Sequence, residues 1–229
     1  IALSALDAGR LGIAAASTGR PGPAVLLVPL DVLDERAEID VHDLAELHTA
    51  IGVGIRPASI TLHTDLLTTD DVARAIAGGG VGRLVIAHLD HISALSQRSY
   101  GPRLNVMLRM RESIRGIDAS GFEFDSREAD SAVDAIRSHR RCSLVGLHCD
   151  VGTVAAESVS IPSATGNLIA QTDHIRRSLG PILTRVSVGG SHFSAADFAA
   201  NRMIANEIDE SIDDACATLR FPRPAVVVA

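Results

Sequence analysis

Short runs of apolar and β-branched residues recur along the chain, separated by segments in which apolar residues return every three or four positions. The short runs have the length and composition of buried strands. The longer segments have the periodicity of helices with one apolar face. We therefore predict strands at Ala24–Leu30, Ile39–His42, Ser59–His63, Arg83–Ala87, Leu104–Arg109, Ser143–His148, Thr184–Val188 and Ala225–Val228, and helices that include Leu44–Ile51, Asp70–Ala77, Ser126–Ser138 and Met203–Leu219.

This alternation predicts an α/β fold with a parallel sheet, because continuously apolar strands are typical of sheets that helices cover. A (β/α)8 barrel of the TIM type is the favoured architecture, and an open doubly wound sheet is the alternative. A chain of 229 residues with 46% hydrophobic content is long enough for one such domain. We expect a lead segment at residues 1–23 and a barrel domain at 24–229.

One predicted connection is too short. A crossover between parallel strands needs about a dozen residues or more. Only Asp31–Ala37 lie between the strand that ends at Leu30 and Glu38, which precedes the next strand. Two explanations stay open: the strand Ala24–Leu30 lies outside the main sheet, or a helix and a strand are missing between Ala37 and Glu38.

Composition narrows the function classes. The formal net charge is -7 and there is no basic block, which argues against nucleic acid and anionic membranes as partners. No apolar stretch is long enough to span a bilayer, and no signal-peptide pattern is present. Cys142, Cys149 and Cys216 have no paired spacing, which favours a reducing compartment. We therefore expect a soluble, cytoplasmic protein that binds small molecules or other proteins.

Histidine and aspartate residues follow several predicted strands. In a barrel the carboxyl ends of the strands meet at the face that carries the active site. Imidazoles and carboxylates gathered there can bind a divalent metal and activate water. Polar residues also follow strands simply because the chain leaves the core there, and no His-x-His or His-x-x-x-His pair is present, so we assign no metal ligands. The residues are His42, Asp43, His63, Asp65, His88, Asp90, His148, Asp150 and His192.

Two predicted strands also run into glycines, at Val188-Gly189-Gly190-Ser191 and at His148-Cys149-Asp150-Val151-Gly152-Thr153. Backbone N–H groups without side chains can approach a phosphate closely. A glycine after a strand is equally typical of a turn or a close packing contact, so neither motif is decisive by itself.

Taken in order, these segments resemble the fold-type III pyridoxal-phosphate decarboxylases, the ornithine, diaminopimelate and arginine decarboxylase family, and most closely its diaminopimelate decarboxylase branch. The resemblance covers nearly the whole chain. Relative to the family, the lysine-bearing strand and the C-terminal β-domain are missing from this sequence. The matching segments are Pro23–Arg36, Ile39–Leu47, Arg56–His63, Gly82–Ile86, Val106–Arg109, Gly146–Cys149, Val188–Gly190 and Arg223–Val228.

The resemblance implies a lyase that uses pyridoxal phosphate on an amino acid, in a dimer with a second copy or with a related protein. It also implies cofactor contacts at the positions that match the family motifs. These positions are Arg109, His148, Asp150, Gly152, Thr153, Gly189, Gly190 and Ser191.

The departures from the family pattern concern the cofactor. The family carries its Schiff-base lysine between the opening helix and the next strand, which is the Ala37–Glu38 junction here, and this chain contains no lysine at all. Without a lysine the usual covalent link to the cofactor cannot form, which argues against pyridoxal phosphate binding. Asp150 replaces the histidine that stacks on the cofactor ring in the family, and Ser191 replaces a phosphate-binding glycine. Leu67 and Gly121 replace further family lysines.

Three hypotheses follow. The first is a divergent or catalytically inactive decarboxylase-like barrel with a binding or regulatory role. The second is an active pyridoxal-phosphate-dependent amino-acid decarboxylase whose lysine lies in a segment outside this sequence. The third is an enzyme that uses the strand-end histidines and aspartates in metal-assisted chemistry. No catalytic residue is assigned, because the family's catalytic residue is the lysine.

Overall fold

A computed structural model describes residues 38–95, 103–112, 120–151, 160–189 and 198–228. Within these ranges strands and helices alternate, and every strand pairing is parallel. The strands are β1 (Ile39–Val41), β2 (Ile60–His63), β3 (Arg83–Ile86), β4 (Leu104–Arg111), β5 (Phe122–Glu123), β6 (Cys142–Asp150), β7 (Arg185–Gly189) and β8 (Ala225–Val228). The helices are α1 (Leu44–Gly52), α2 (Thr69–Ala77), α3 (Leu89–Ala94), α4 (Arg127–Ser138), α5 (Ile161–Ser178) and α6 (Phe198–Leu219).

The order of strands in the sheet is β1-β2-β3-β4-β6-β7-β8, and the short β5 pairs only with the end of β4. The order follows the sequence without the reversal that defines a doubly wound sheet. The sheet is also curled, because Glu38, next to β1, forms an ion pair with Arg185 at the start of β7. The prediction of a TIM-like barrel is thus confirmed, as a partial barrel in which β1 and β8 do not pair within the described ranges.

The predicted strands from Ile39 onward agree with the sheet, with small differences at their ends. Strand β4 continues to Arg111, β6 runs from Cys142 to Asp150, and His42 lies just beyond β1. These extensions carry Asp150 into a strand, where it pairs with Gly189 in the parallel ladder. The predicted strand Ala24–Leu30 and the short connection after it lie outside the described residues.

The two faces of the sheet differ in chemistry, since successive side chains of a strand point to opposite faces. The outer face is apolar and packs against the helices in one continuous core. The inner face of the curl is largely polar. Outer residues with 0% exposure include Leu62, Leu84, Ile86, Leu108, Leu147 and Val186, whereas the buried inner residues include Thr61, His63, Arg83, His148 and Ser187.

Side-chain caps start the helices directly after the strand-end loops. Thr68 and Asp71 form a reciprocal capping box at the start of α2, and the Ser126 hydroxyl accepts a hydrogen bond from the backbone N–H of Ala129 at the start of α4. The Asp43 carboxylate accepts from the backbone N–H of Glu46, 2.8 Å away, so this strand-end aspartate is the cap of α1. In the described part of the chain, no helix has the length and apolar character needed to cross a bilayer.

Candidate functional site

Three histidine rings meet inside the carboxyl end of the barrel. The His63 ring, at the end of β2, lies between the ring of His42, which follows β1, and that of His148 on β6. The ring centroids are 4.6 Å apart for His42 and His63, and 4.7 Å apart for His63 and His148. His63 and His148 are 2% and 1% exposed, whereas His42 is exposed at the entrance.

Arg109 connects this group to two aspartates. It lies opposite His148 in the ladder between β4 and β6, so its side chain lies on the inner face beside the His148 ring. Its guanidinium binds the carboxylate of Asp150 directly and lies 3.7 Å from Asp65 Oδ1, measured from Nη1. We call His42, His63, Asp65, Arg109, His148 and Asp150 the mouth cluster.

Hydrogen bonds hold Asp150 as an anion. His148 Nε2 lies 3.0 Å from Asp150 Oδ1, and His148 Nδ1 lies 3.1 Å from the Ser187 hydroxyl. An Nε2–H donor to Asp150 leaves Nδ1 to accept from Ser187. Burial by itself would raise the pKa of Asp150, but the hydrogen bond from His148, together with the charge of Arg109, holds this pKa well below its usual range.

Gly189 lies against this pair of side chains. A Cβ atom at Gly189 would come within 2.7 Å of Asp150 Oδ1 and 3.0 Å of His148 Cε1. Both distances are too short for a methyl group unless its neighbours move. The glycine is therefore required by the packing of Asp150 and His148, which is the close-contact alternative that the sequence left open.

The opposite end of the barrel interior carries a second polar cluster. The Glu38 carboxylate accepts a hydrogen bond from Arg83 Nη2 at 3.1 Å and also binds Arg185. Arg83 Nη1 donates to the Thr61 hydroxyl at 2.8 Å. Burial and the nearby charge of Arg83 lower the pKa of Arg185. We call Glu38, Thr61, Arg83 and Arg185 the floor cluster.

The structure brings together four of the residues predicted to contact the cofactor: Arg109, His148, Asp150 and Gly189. A cofactor role for them stays a prediction. The other four, Gly152, Thr153, Gly190 and Ser191, lie outside the described residues.

The strand-end histidines and aspartates separate into two groups. His42, His63 and Asp65 each offer one candidate metal-ligand atom, and these atoms lie within 4.8 Å of one another. His88 instead contacts His91, with ring centroids 5.1 Å apart, and Asp90 is an exposed residue in the first turn of α3. His192 lies outside the described residues.

Sequence reasoning missed several polar residues of the barrel interior. Asp40 and Ser187 belong to the surroundings of the mouth cluster, and Glu38, Arg83 and Arg185 form most of the floor cluster. The available signal was the period of two within strands: Asp40 precedes His42 by two residues, and Ser187 precedes Gly189 by two.

Comparison with known proteins identifies the fold and the family. A family model described as "Pyridoxal-dependent decarboxylase, pyridoxal binding domain" matches residues 30–228. The diaminopimelate decarboxylase of Actinosynnema pretiosum subsp. auranticum is 26% identical over 218 residues, covering 86% of this chain and 47% of that protein. That of Staphylococcus aureus (strain COL) is 28% identical over 136 residues, covering 53% and 31%. The chain thus spans less than half the length of these relatives.

Solved structures share the fold. The diaminopimelate decarboxylase of M. jannaschii, in co-complex with L-lysine, superposes with a TM-score of 0.66 at 14% identity, covering 82% of this chain and 46% of that one. The arginine decarboxylase of Paramecium bursaria Chlorella virus gives a TM-score of 0.57 at 19% identity, covering 85% and 51%. Since the family match runs through every described strand, this chain belongs to the pyridoxal-dependent decarboxylases, as a divergent member matched in their pyridoxal-binding domain.

Proposed function

We propose that this chain is a decarboxylase-like barrel that has lost the pyridoxal chemistry of its family and has a binding or regulatory role. The observation that carries the proposal is the environment of Asp150. By resemblance this position holds the histidine that stacks on the cofactor ring. Here it holds a carboxylate that Arg109 and His148 keep ionised. A fixed negative charge is a poor neighbour for an electron-rich, phosphorylated ring.

Two further features support the proposal. The sequence contains no lysine, so it offers no side chain for the covalent link to the cofactor. The space beside Gly189, which the resemblance assigns to the cofactor phosphate, is taken up by Asp150 and His148. Within the described ranges, these features argue against a fit to pyridoxal phosphate.

Borohydride trapping tests the proposal. We expect that the protein incubated with pyridoxal phosphate shows no aldimine absorbance band and gives no reduced adduct at an internal residue after borohydride treatment. Peptide mass spectrometry separates such an adduct from one on the N-terminal amine. The matched variants are Asp150→His, which restores the family residue, and Asp150→Asn, which removes only the charge. A stoichiometric internal adduct on the unmodified protein would contradict the proposal.

The alternative is an active decarboxylase whose lysine lies outside this sequence. Arg109 and Gly189, two positions retained from the family pattern, favour it, as does the coverage of less than half of the curated relatives. Sequencing the gene across the codons of Ala37 and Glu38, together with the intact mass of the protein it produces, decides between the two. A lysine-bearing insertion there would support the alternative.

The partners proposed for this barrel follow from the family resemblance. The chain would form a dimer with a second copy or with a related protein. It would bind a small amino acid, and it would be cytoplasmic. The M. jannaschii relative is described in co-complex with L-lysine. In this chain a ligand carboxylate would compete with Asp150 and Asp65 for Arg109, so we expect weaker binding of amino acids than in a barrel where this guanidinium is free.

A further inference from the structure

We propose that His42, His63 and Asp65 bind a divalent transition-metal ion at the carboxyl end of the barrel. One candidate ligand atom from each residue lies within 4.8 Å of the other two. Ligands of a tetrahedral zinc ion lie about 2.0–2.2 Å from the metal and hence about 3.3 Å from one another. The remaining difference is within the reach of side-chain rotation, since His42 is exposed.

His63 supplies independent evidence for a ligand. Its side chain is 3% exposed, and its Nδ1 atom is buried with no hydrogen-bond partner in the described structure. The other ring nitrogen, Nε2, lies 3.8 Å from Asp40 Oδ1. A carboxylate facing one nitrogen of a histidine orients the ring and leaves the lone pair of the other nitrogen for a metal. A bound ion would satisfy a nitrogen that is otherwise buried at a cost.

Asp65 also has a side-chain atom without a hydrogen-bond partner among the described residues. Its Oδ1 atom is buried and accepts no hydrogen bond in the described structure. Its nearest cation, Arg109, is 3.7 Å away and already binds Asp150 directly. Asp65 can therefore turn its carboxylate to a metal without leaving Arg109 unpaired.

The local charge also favours a cation. Asp65 and Asp150 both face the guanidinium of Arg109, so these two carboxylates outnumber that guanidinium by one when the imidazoles are neutral. The neutral imidazole is the form of histidine that ligates a metal.

The ligand set indicates which ions fit. Two imidazoles and one carboxylate suit zinc and the neighbouring first-row metals, whereas calcium and magnesium prefer all-oxygen sites. Three protein ligands also leave a coordination position open for water or another small ligand. This site does not depend on the proposed loss of pyridoxal chemistry, because none of its three ligands carries that proposal.

Calorimetric titration of untagged, chelator-treated protein with zinc chloride tests the site. We expect one zinc ion per chain and no binding of magnesium at the same concentration. His42→Ala and Asp65→Asn should each weaken zinc binding at least about tenfold, the smallest loss seen when groups around a metal are changed. His88→Ala is the matched control, since His88 is another exposed strand-end histidine and contacts only His91 among the described rings.

Cobalt(II) provides a second readout, because its visible absorption spectrum reports the geometry and the ligands around the ion. We expect His42→Ala to change this spectrum and His88→Ala to leave it unchanged. Circular dichroism of each metal-free variant shows whether it folds like the unmodified protein. Absence of zinc binding, or equal zinc affinity in the unmodified protein and both ligand variants, would overturn the proposal.

Discussion

The two ends of the barrel interior are both polar, yet they differ in which side-chain atoms are buried without a hydrogen bond. In the floor cluster one carboxylate, Glu38, serves two guanidinia, and the atoms without hydrogen bonds are N–H donors, Nε of Arg83 and Nε of Arg185. In the mouth cluster the carboxylates exceed the guanidinium, and the buried atoms without partners include His63 Nδ1 and Asp65 Oδ1.

This difference indicates that the buried charges of the floor cluster have a structural role, whereas those of the mouth cluster have a functional one. The floor cluster ties β1, β3 and β7 together by means of one shared carboxylate, so its charges hold these strands together across the interior of the curled sheet. The mouth cluster keeps its ion pair between Arg109 and Asp150, while His63 and Asp65 each retain a buried atom without a hydrogen bond at the face where barrel active sites lie. Perturbing each end separately tests this division.

The largest loss of stability is expected from a change in the floor cluster. Glu38→Ala removes the carboxylate that the guanidinia of Arg83 and Arg185 share. Breaking a buried ion pair by removing one partner costs about 3–5 kcal/mol. We expect urea denaturation to show a loss of this size in the free energy of unfolding. Asp134→Ala is the control, because Asp134 pairs with Arg137 on the surface of α4, and exposed pairs contribute about 0–1 kcal/mol. Equal losses in the two variants would contradict a structural role for the floor cluster.

A smaller loss of stability, which depends on pH, is expected from a change in the mouth cluster. Asp150→Asn replaces the ionised partner of Arg109 and His148, and a hydrogen bond to a charged group is worth about 1.5–3 kcal/mol. The pKa of Asp150 is lowered in the folded protein, so the unfolded chain takes up the proton first as the pH falls. The stabilisation from Asp150 is therefore complete near neutral pH and declines as the pH falls through about 3.9, the ordinary aspartate value, toward the lowered folded pKa.

Urea denaturation at a series of pH values measures this difference. We expect the gap between the unmodified protein and Asp150→Asn to be widest at neutral pH and to narrow in acid. Asp134→Asn, at the surface, serves as the control. A gap that stays constant down to acidic pH would show that the charge of Asp150 is not what stabilises the mouth cluster.

The smallest loss of stability is expected from Gly189→Ala. The added methyl group would meet Asp150 Oδ1 and His148 Cε1, and overpacking a dense site costs about 1 kcal/mol or slightly more. If Asp150 is the residue that clashes with the added methyl group, Gly189→Ala costs less stability in an Asp150→Ser background, where the shorter side chain leaves room. A double-mutant cycle measures this coupling. An unchanged cost in that background would assign the clash to His148 instead.

The fold was largely predictable from the sequence, whereas the site was only partly so. Strand and helix periods depend on local residue patterns, and they correctly indicated a barrel in which His148 lies near the carboxyl end of a strand. They did not show that Asp150 would be bound by Arg109, which lies 41 residues away. Nor did they reveal the floor cluster, since a single arginine at a strand start looks like an ordinary surface residue.

The interpretation of Gly189 shows the same limit of prediction from sequence. The Gly189-Gly190 motif suggested a phosphate contact, because a missing side chain leaves room for a ligand. Sequence alone could not show that the room beside Gly189 is filled by Asp150 and His148 of the neighbouring strand. Cross-strand neighbours depend on the register of the sheet, which a single sequence does not specify at this precision.

The pair between Glu38 and Arg185 also bears on the order in which the chain folds. These residues are 147 positions apart, whereas most neighbouring strands of the sheet are consecutive in the sequence. Closing a long loop before its intermediate contacts exist is entropically costly. We therefore expect the sheet to grow strand by strand from local pairings, and the contact that joins β7 to the beginning of β1 to form late. On this view a nascent chain completes its curl only after Arg185 has been synthesised.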